Sequence, residues 1–575
     1  MDSELESVTK STPWLGDKGL LALLTVFCAI AVTLMCGRWP DVYGFANPPQ
    51  ASPLHNLVSA PVRLSDDVMI SLRSGYILRE IGRPAFNRHD LAQPSTSYLS
   101  PYLFSLLLRI CPGGTSVPVY AVLGLFAVAL TFGCLAFYSR STINAGVLLL
   151  ALLLTTTNRS YTLNGWDHVY QAFFLTLATC IALKGRLSPT KILLVSALLA
   201  LGTSFRPDGF LISVGVLASV CLRSRKISQA ILFAAAPYVL LVGAILALNF
   251  HQFGHLTPTT ARLKVGAAPS ITYIIKYLID NGVLSYSALS LFGLLLAFCV
   301  MYRRFFPSGQ ALPIVVSCAV TAAIAAYNSD YLPGARMLWS PACVLAAVIA
   351  VTAPGWLALD HDHLRRVFSL SPAYKDPSLS SLSKQQVRVP QMLLGMLVLL
   401  LVAGAVSSSM LHRAKAAVLS RNSIYASPTA QQYIIARWIN ERLRPADGAI
   451  GFFFLGVSYD LPRFEIADFL GPADESIATL KVKVGPPGHN KWDLDKTLAK
   501  WKPQAIIPAG PVDPNHAETR ENSHKHAPDL LSNEKVLKEF AYCYVPDAEL
   551  EVIDRWGFFL RRDIAALHAD ELRCS

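Results

Sequence analysis

The residues of this chain best suited to chemistry are two adjacent carboxylates, Asp66 and Asp67, in the stretch SDDVMISLRSGYILREIGRPAFNRHDLAQPSTSYLSPYLFSLLL (65–108). A positioned carboxylate can take a proton from a hydroxyl or attack an electrophilic carbon. Further acids sit in short polar breaks between apolar runs: Asp167 in NRSYTLNGWDH, Asp208 in FRPDG and Asp330 in NSDYLPGAR. Arg206, Arg262, Lys264 and Arg336 accompany them. A guanidinium grips a phosphate with two parallel bonds, and an ammonium presents a compact point charge. Each feature also has a plainer reading. One of the two aspartates can cap the helix that follows, Arg206 can pair with Asp208, and Arg262 and Lys264 can reach up to lipid headgroups. Adjacent helix residues point about 100° apart, so one aspartate can cap while the other faces a cavity.

The elements that must position these groups are helices in a bilayer. Of 575 residues, 53% are hydrophobic and 15% charged, well below the roughly 25% charge of a soluble domain. Apolar runs at Leu20–Met35, Val117–Tyr138, Ile143–Thr157, Val169–Leu183, Ile192–Ser204, Gly209–Leu222, Ile227–Phe250, Tyr286–Tyr302, Ala311–Tyr327, Met337–Ala353 and Pro390–Met410 predict about eleven spans. With the N-terminus in the cytoplasm, Arg140, Lys184/Arg186/Lys191, Arg223/Arg225/Lys226, Arg303/Arg304 and the 365–388 cluster all fall inside, as the positive-inside rule requires. The acids and arginines of the first paragraph then all fall outside. Before residue 412 there are 29 Lys and Arg against 16 Asp and Glu; after it, 21 against 22. The basic excess is thus a property of the membrane half, and it excludes nucleic acid as the partner, which would need a clustered basic surface.

The expected fold is a polytopic α-helical membrane protein, residues 1–411, followed by a soluble extracytoplasmic α/β domain, residues 412–575. Within the first part, 38–116 form a long outer loop. In it, Val68–Ile81 reads as an amphipathic helix with Ile70, Ile77, Leu78 and Ile81 near one stripe, and Tyr98–Ile110 as a second, interfacial helix. In the tail, Thr429–Leu443 reads as a helix, and Ala449–Leu455, Gln504–Pro508 and the end of Glu549–Arg561 as strands. Cys543 and Cys574 both lie outside and can pair. His516, His524 and His526 have no metal-ligand spacing, so no metal is assigned. There is no Walker motif, nucleophile elbow or dinucleotide fingerprint.

The arrangement resembles the GT-C superfamily of membrane glycosyltransferases, and most closely the terminal β-1,2-arabinofuranosyltransferases of mycobacterial cell-wall assembly. The likeness is carried by Asp66-Asp67 with Ser71 and Arg73, by Phe86-Asn87, and by Ser97-Tyr98-Leu99-Ser100-Pro101 in place of a Thr-Ser-Pro-like turn. It continues through Arg206-Pro207-Asp208-Gly209, Phe253-Gly254…Pro258-Thr259-Thr260…Lys264, Asp330…Pro333-Gly334-Ala335-Arg336 and, in the tail, Asp468-Phe469-Leu470-Gly471. Gly165-Trp166-Asp167 keeps only part of the family's Gly-Leu-Glu.

The resemblance implies a GT-C fold and a polyprenyl-phosphate sugar donor, decaprenyl-phosphoryl arabinofuranose being the family's own. It implies a glycan or glycoprotein acceptor and residence in the bacterial inner membrane with the tail in the periplasm. Asp66 or Asp67 is expected to activate the acceptor hydroxyl or, with retained configuration, to act on the sugar itself. Arg206, Arg262, Lys264 and Arg336 are expected at the donor phosphate, and Tyr98, Asp167, Asp208 and Asp330 at the substrates. A divalent metal joining the acids to the phosphate, as in some GT-C enzymes, is the one cofactor it admits. Two other readings fit the same charges: a transporter or flippase for a lipid-linked sugar, and a non-catalytic polysaccharide-binding membrane protein.

Overall fold

The computed structural model describes residues 66–90, 92–110, 116–139, 167–224, 226–264, 310–327, 336–352, 428–453, 455–483, 491–510, 529–545 and 557–575, with a few single positions between them. The expected spans at 20–35, 143–157 and 390–410, Asp330, the three tail histidines and the boundary near 411 lie outside the described residues.

Seven of the apolar runs are helices among the described residues: α3 (Ser116–Tyr138), α4 (Asp167–Leu183), α5 (Pro189–Phe205), α6 (Gly209–Arg223), α7 (Ile227–Phe253), α9 (Leu312–Tyr327) and α10 (Trp339–Thr352). Helix α7, with 27 residues, is long and apolar enough to cross a membrane; the others are shorter apolar helices. Local chemistry sets several ends. Ser188 accepts the amide of Lys191 at 3.3 Å and Pro189 opens α5. Gly254, at φ 74°, closes α7 in the left-handed conformation that a side chain would disfavour. Pro237 lacks an amide hydrogen, and the ladder of α7 widens to a π turn over Ile231–Ala235 just before it.

Helix α4 is the hub. It packs against α3, α5, α6 and α10, and nearly all of its residues are buried. Helix α10 is buried along its whole length, and its Ala342, Ala346, Ala347 and Ala350 allow close approach to its neighbours. The outward faces are apolar. Val239 and Leu240 on α7 are 63% and 72% exposed, and Phe210, Leu222, Phe126, Val316 and Ile324 continue the surface on neighbouring helices. So broad an apolar exterior is stable only when something apolar covers it, and a bilayer does so.

Helices α1 (Asp66–Ile81) and α2 (Ser100–Ile110) stand where helices were expected at Val68–Ile81 and Tyr98–Ile110. They cross closely: a Cβ on Gly75 would stand 2.7 Å from the carbonyl of Pro101. The single stripe assigned to α1 was too narrow. Val68, Met69, Leu72, Arg73 and Ser74 are buried together with Ile70 and Ile77, while Ile81 is exposed. One side of α1 lies on α2; the other lies on the 3₁₀ segment Leu455–Asp460 of the tail.

The tail builds a sheet of order β2-β1-β3-β5-β4-β6 from β1 (Ile450–Phe452), β2 (Ile466–Asp468), β3 (Ala505–Ile507), β4 (Phe540–Tyr544), β5 (Phe558–Arg561) and β6 (Arg573–Cys574). The first three strands are parallel and the rest antiparallel. Ile450, Phe452, Ile507, Phe558 and Leu560 face one core, which also contains Trp438 and Ile439 of α11 (Pro428–Arg442). Phe453, Ile506, Tyr542 and Phe559 face the other, with Leu494 and Leu498 of α13 (Leu494–Trp501). A sheet covered on both faces has apolar strands without polar alternation. Ile70 of α1 and Phe86 belong to the first of these cores, so the segment from α1 to Phe86 is part of the tail's own interior.

Cys543 and Cys574 are bonded, pairing β4 with β6 at the sheet edge. Closing 31 residues of chain restricts the unfolded state by about 2–4 kcal/mol. The Cys543→Ser/Cys574→Ser variant is expected to melt lower by that free energy, and wild type to show the same drop on reduction, both readable by thermal denaturation.

Candidate active site

At one end of the bundle several helix ends converge. Asp167 opens α4, where a carboxylate meets the positive end of the helix dipole. It is buried, accepts the hydroxyl of Ser100 at the start of α2, and accepts Tyr120 from the first turns of α3 at 3.3 Å. One turn further along α4, on the same face, Gln171 joins the neighbouring ends. Its amide nitrogen donates to the carbonyl of Arg206 at 3.0 Å and to Asp208 Oδ1 at 2.8 Å, and its oxygen accepts Ser340 of α10 at 2.6 Å. Arg206 and Asp208 form the local ion pair, at 3.2 Å. Gly209 leaves room for this arrangement, since a Cβ there would stand 2.7 Å from Gln171 Nε2. Gly209→Ala is therefore expected to push the Gln171 amide off both partners. The expected loss is about 1–2 kcal/mol of stability for the unmade bonds, with a larger loss in whatever reaction the site performs; thermal melting and turnover measured together check it.

A line of hydroxyls ties α1 to the same place. Ser71 Oγ lies 2.8 Å from Ser95 Oγ, Ser95 accepts the amide of Ser97, and Ser97 accepts the amide of Ser100 at 2.9 Å. Asp66 and Asp67 open α1 itself, roughly 6–8 Å up the helix axis from Ser71 at 1.5 Å per residue. Arg336 opens the 3₁₀ turn leading to Ser340, and Lys264 ends the short helix α8 (Thr259–Lys264). The side chains of Asp66, Asp67, Lys264 and Arg336 are outside the described residues.

Tyr98 joins its own segment to the end of α5 and to the loop after α7. Its amide donates to Ser204 at 3.0 Å and its phenol to the carbonyl of Leu256 at 2.9 Å. Burial pushes its pKa up to about 12, so it remains a neutral donor. Beside it, Gln93 and Thr259 exchange bonds: the Thr259 amide donates to Gln93 O at 2.9 Å, and the Gln93 amide to Thr259 Oγ1 at 3.2 Å. Arg262 is ion-paired with Glu475 of the tail, and Lys491 donates to the carbonyls of Arg262 and Ala478 at 3.3 and 2.8 Å.

The opposite end of the bundle is basic. Arg223 donates to the carbonyls of Ala182 and Gly185, and Lys184 lies over the rings of Phe137 and Tyr138. Among the described residues the two charge populations separated by sequence position are thus separated in space, with Asp167, Asp208 and Arg206 at one pole.

The structure brings Asp167 and, one turn along α4, Gln171 with Asp208 and Arg206 to one end of the bundle, while Tyr98 bonds Ser204 and Leu256 and Arg262 pairs with the tail. Gln171, Ser340, Ser100 and Tyr120, which hold these groups, are single polar residues at the ends of apolar runs and carry no motif. Glu475 and Lys491 lie more than two hundred residues from Arg262, and nothing in their local sequence points to it. Asp468, matched above by resemblance, is buried with its oxygens accepting the amides of Leu470 and Ala473. Burial pushes it up to about 7, against the pull of those amides. It shapes the turn that delivers Asp474, whose side chain caps α12 (Glu475–Ala478), and hence Glu475. Among the described residues no group of three metal-binding side chains occurs.

Two solved structures are similar to this chain, both of ArnT from Cupriavidus metallidurans. One, bound to undecaprenyl phosphate, is 12% identical with a TM-score of 0.47, covering 80% of this chain and 87% of that one. The other, in the apo state, is 13% identical with a TM-score of 0.45, covering 84% and 92%. No family model and no curated protein matches, so no family is assigned by comparison.

Proposed function

We propose that the protein is a GT-C-type membrane glycosyltransferase. It moves a sugar, arabinofuranose by the resemblance of its motifs, from a polyprenyl-phosphate donor to an acceptor hydroxyl at the outer face of a bacterial inner membrane. The observation that carries the reading is a pair of polar groups one turn apart on α4, Ser100–Asp167 and Gln171–Asp208–Arg206. It lies at one pole of an apolar bundle, tied through Ser71 to the helix that Asp66 and Asp67 begin. A polyprenyl chain needs an apolar exterior along which to lie, and its phosphate and sugar need polar groups at that depth.

In this reading Asp66 or Asp67 removes the proton from the acceptor hydroxyl as its oxygen bonds the anomeric carbon. The bond from that carbon to the phosphate oxygen breaks, and the electron pair leaves with the polyprenyl phosphate. Two of the four expected phosphate ligands are already in ion pairs, Arg206 with Asp208 and Arg262 with Glu475. Arg206, Arg262, Lys264 and Arg336 supply the cations for the leaving phosphate, with Arg206 and Asp208 also holding Gln171 and the loop. The N-terminus is cytoplasmic and the tail periplasmic. The disulfide of the tail supports this side, since such bonds persist in oxidising compartments.

The test is incubation of the purified protein with labelled decaprenyl-phosphoryl arabinofuranose and candidate acceptors. Label appearing in a new glycosidic product supports transfer. Label crossing the bilayer unchanged would make the protein a flippase, and label retained without reaction would make it a binding protein.

A further inference from the structure

Where α1 and α2 end, two arginines and three apolar side chains stand exposed. Arg79 donates from Nη1 to the carbonyl of Leu108 at 3.2 Å, which joins the last turn of α1 to the last turn of α2. Next to that bond Arg109 and Ile110 are exposed, and Leu106 shares their face of α2 at the i, i+3, i+4 spacing. Leu106 is 54% and Ile110 64% exposed, and Ile81 of α1 is exposed as well. The other face of α2 is covered, with Phe104 and Leu107 buried in the bundle core. Glu80, the acid beside Arg79, is held by Arg88 at 2.7 Å. Among the described residues no carboxylate pairs with Arg79 or Arg109.

The level at which α2 lies selects what covers this face. Ser100 at its start meets Asp167, the first residue of α4. Tyr102 donates to Gln252 in the last turn of α7 at 3.1 Å. Helix α3, which packs against α2, begins at Ser116. Three helix ends of one pole therefore border α2, and that pole is opposite Lys184 and Arg223. The exposed apolar surface of α3 starts in its second turn, at Val122, and continues at Phe126, so α2 stands beside the rim of the surface that a bilayer covers. A short helix with an apolar outer face and basic side chains beside it lies in the plane of a membrane surface. Its leucine and isoleucine enter the acyl region while its arginines reach the phosphates. The counter-charge for two arginines at that depth is the headgroup of an anionic phospholipid; a zwitterionic headgroup brings its own cation as a competitor.

We propose that the joined ends of α1 and α2 form a docking surface for anionic phospholipid, with Leu106 and Ile110 in the acyl region and Arg79 and Arg109 on headgroup phosphates. The surface goes beyond the transferase reading and stands whether or not sugar is transferred. Helix α2 holds Asp167 through Ser100, and α1 begins with Asp66 and Asp67, so the docked lipid steadies the two helices that border the candidate site.

The test is hydrogen–deuterium exchange of the full chain, one copy per lipid nanodisc, in phosphatidylcholine alone and in an equal mixture with phosphatidylglycerol. In wild type the amides of the last turn of α2 are expected to exchange about fivefold more slowly, or slower still, in the mixture, that being the factor for one basic side chain at an anionic surface. Arg79→Gln/Arg109→Gln is expected to lose the slowing. Arg109→Gln, which keeps the bond from Arg79 to Leu108, is expected to lose part of it, so the effect is read without loosening the helix ends. Arg437→Gln, which removes a tail arginine paired with Glu441, is expected to behave as wild type. The proposal is overturned by equal exchange of this turn in both lipids, or by slowing in both Arg79→Gln/Arg109→Gln and Arg109→Gln as full as in wild type. It is overturned too by protection that appears only with two copies in one disc, which would make the face a contact between chains.

Discussion

Replacing Asp66 and Asp67 by asparagine, singly and together, is expected to abolish sugar transfer without unfolding the protein. Asparagine keeps the size and most of the capping capacity of aspartate at the start of α1, but it cannot take a proton or stabilise a positive centre. A positioned base contributes about 10²–10⁴-fold. The aspartate that acts as base is therefore expected to lose that factor in turnover when changed alone, and the double variant to fall to background. The aspartate that mainly caps the helix is expected to show a smaller loss in activity and a modest loss in melting temperature. Turnover with labelled donor and a melting curve on the same preparations separate the two. Full activity in the double variant would remove Asp66 and Asp67 from the chemistry.

The second large effect is expected at Arg73, which does no chemistry. It is 1% exposed, and its guanidinium donates to four backbone carbonyls: Phe86 at 3.0 Å, Ser458 at 2.7 Å, Leu461 at 3.0 Å and Phe464 at 2.7 Å. It also lies 5.0 Å from the centre of the Phe86 ring. Burial pulls its pKa down to about 9, which leaves it charged at neutral pH. The residue therefore pins α1 and the segment after it to the tail. Asn87 adds a two-way bond with the backbone of Ile466, and Lys500 bridges Asp90 to Asp474. Arg73→Met removes four buried hydrogen bonds, two of them to the carbonyls of Ser458 and Leu461, which still accept the amides of Leu461 and Phe464, and is expected to cost about 3–5 kcal/mol. Arg73→Lys should recover only part, because one ammonium cannot span the spread of a guanidinium. Denaturant unfolding gives the magnitude. Limited proteolysis should show the tail released from the outer loop, while the helical bundle, which has no contact with Arg73 among those four bonds, stays protected.

These two aspartates and this arginine lie within eight positions of one another, and they show how differently sequence reports on chemistry and on architecture. The charges were legible because a bilayer forces them to the ends of helices. That one constraint placed Asp167, Asp208 and Arg206 at a common pole before any coordinates. It also made the helix runs readable, from Ser116–Tyr138 to Trp339–Thr352, and the Arg206–Asp208 pair and the Cys543–Cys574 bond were open to reading from spacing and side. Arg73 was visible as a motif member but not as a clamp, because three of its four partners are carbonyls nearly four hundred residues away, and a carbonyl has no sequence signature. The same distance hid the second buried face of α1. Strands β2, β4 and β6 were missed for another reason: Ile466–Asp468 ends in an acid whose burial depends on the amides of the following turn, and Arg573–Cys574 is only two residues long. Glu475 reads as an ordinary first-turn acid until Arg262 is brought to it.

The account stands on polar groups at one pole of the bundle transferring a lipid-carried sugar. The most direct measurement is a single-turnover reaction in proteoliposomes with radiolabelled polyprenyl-phosphate arabinofuranose confined to the leaflet that faces the tail, followed by product analysis. The prediction is a covalent glycoside formed in that leaflet's compartment together with free polyprenyl phosphate, in wild type and not in the Asp66→Asn/Asp67→Asn variant. Product formed equally by both proteins, or donor recovered intact on the opposite side of the bilayer, would contradict it.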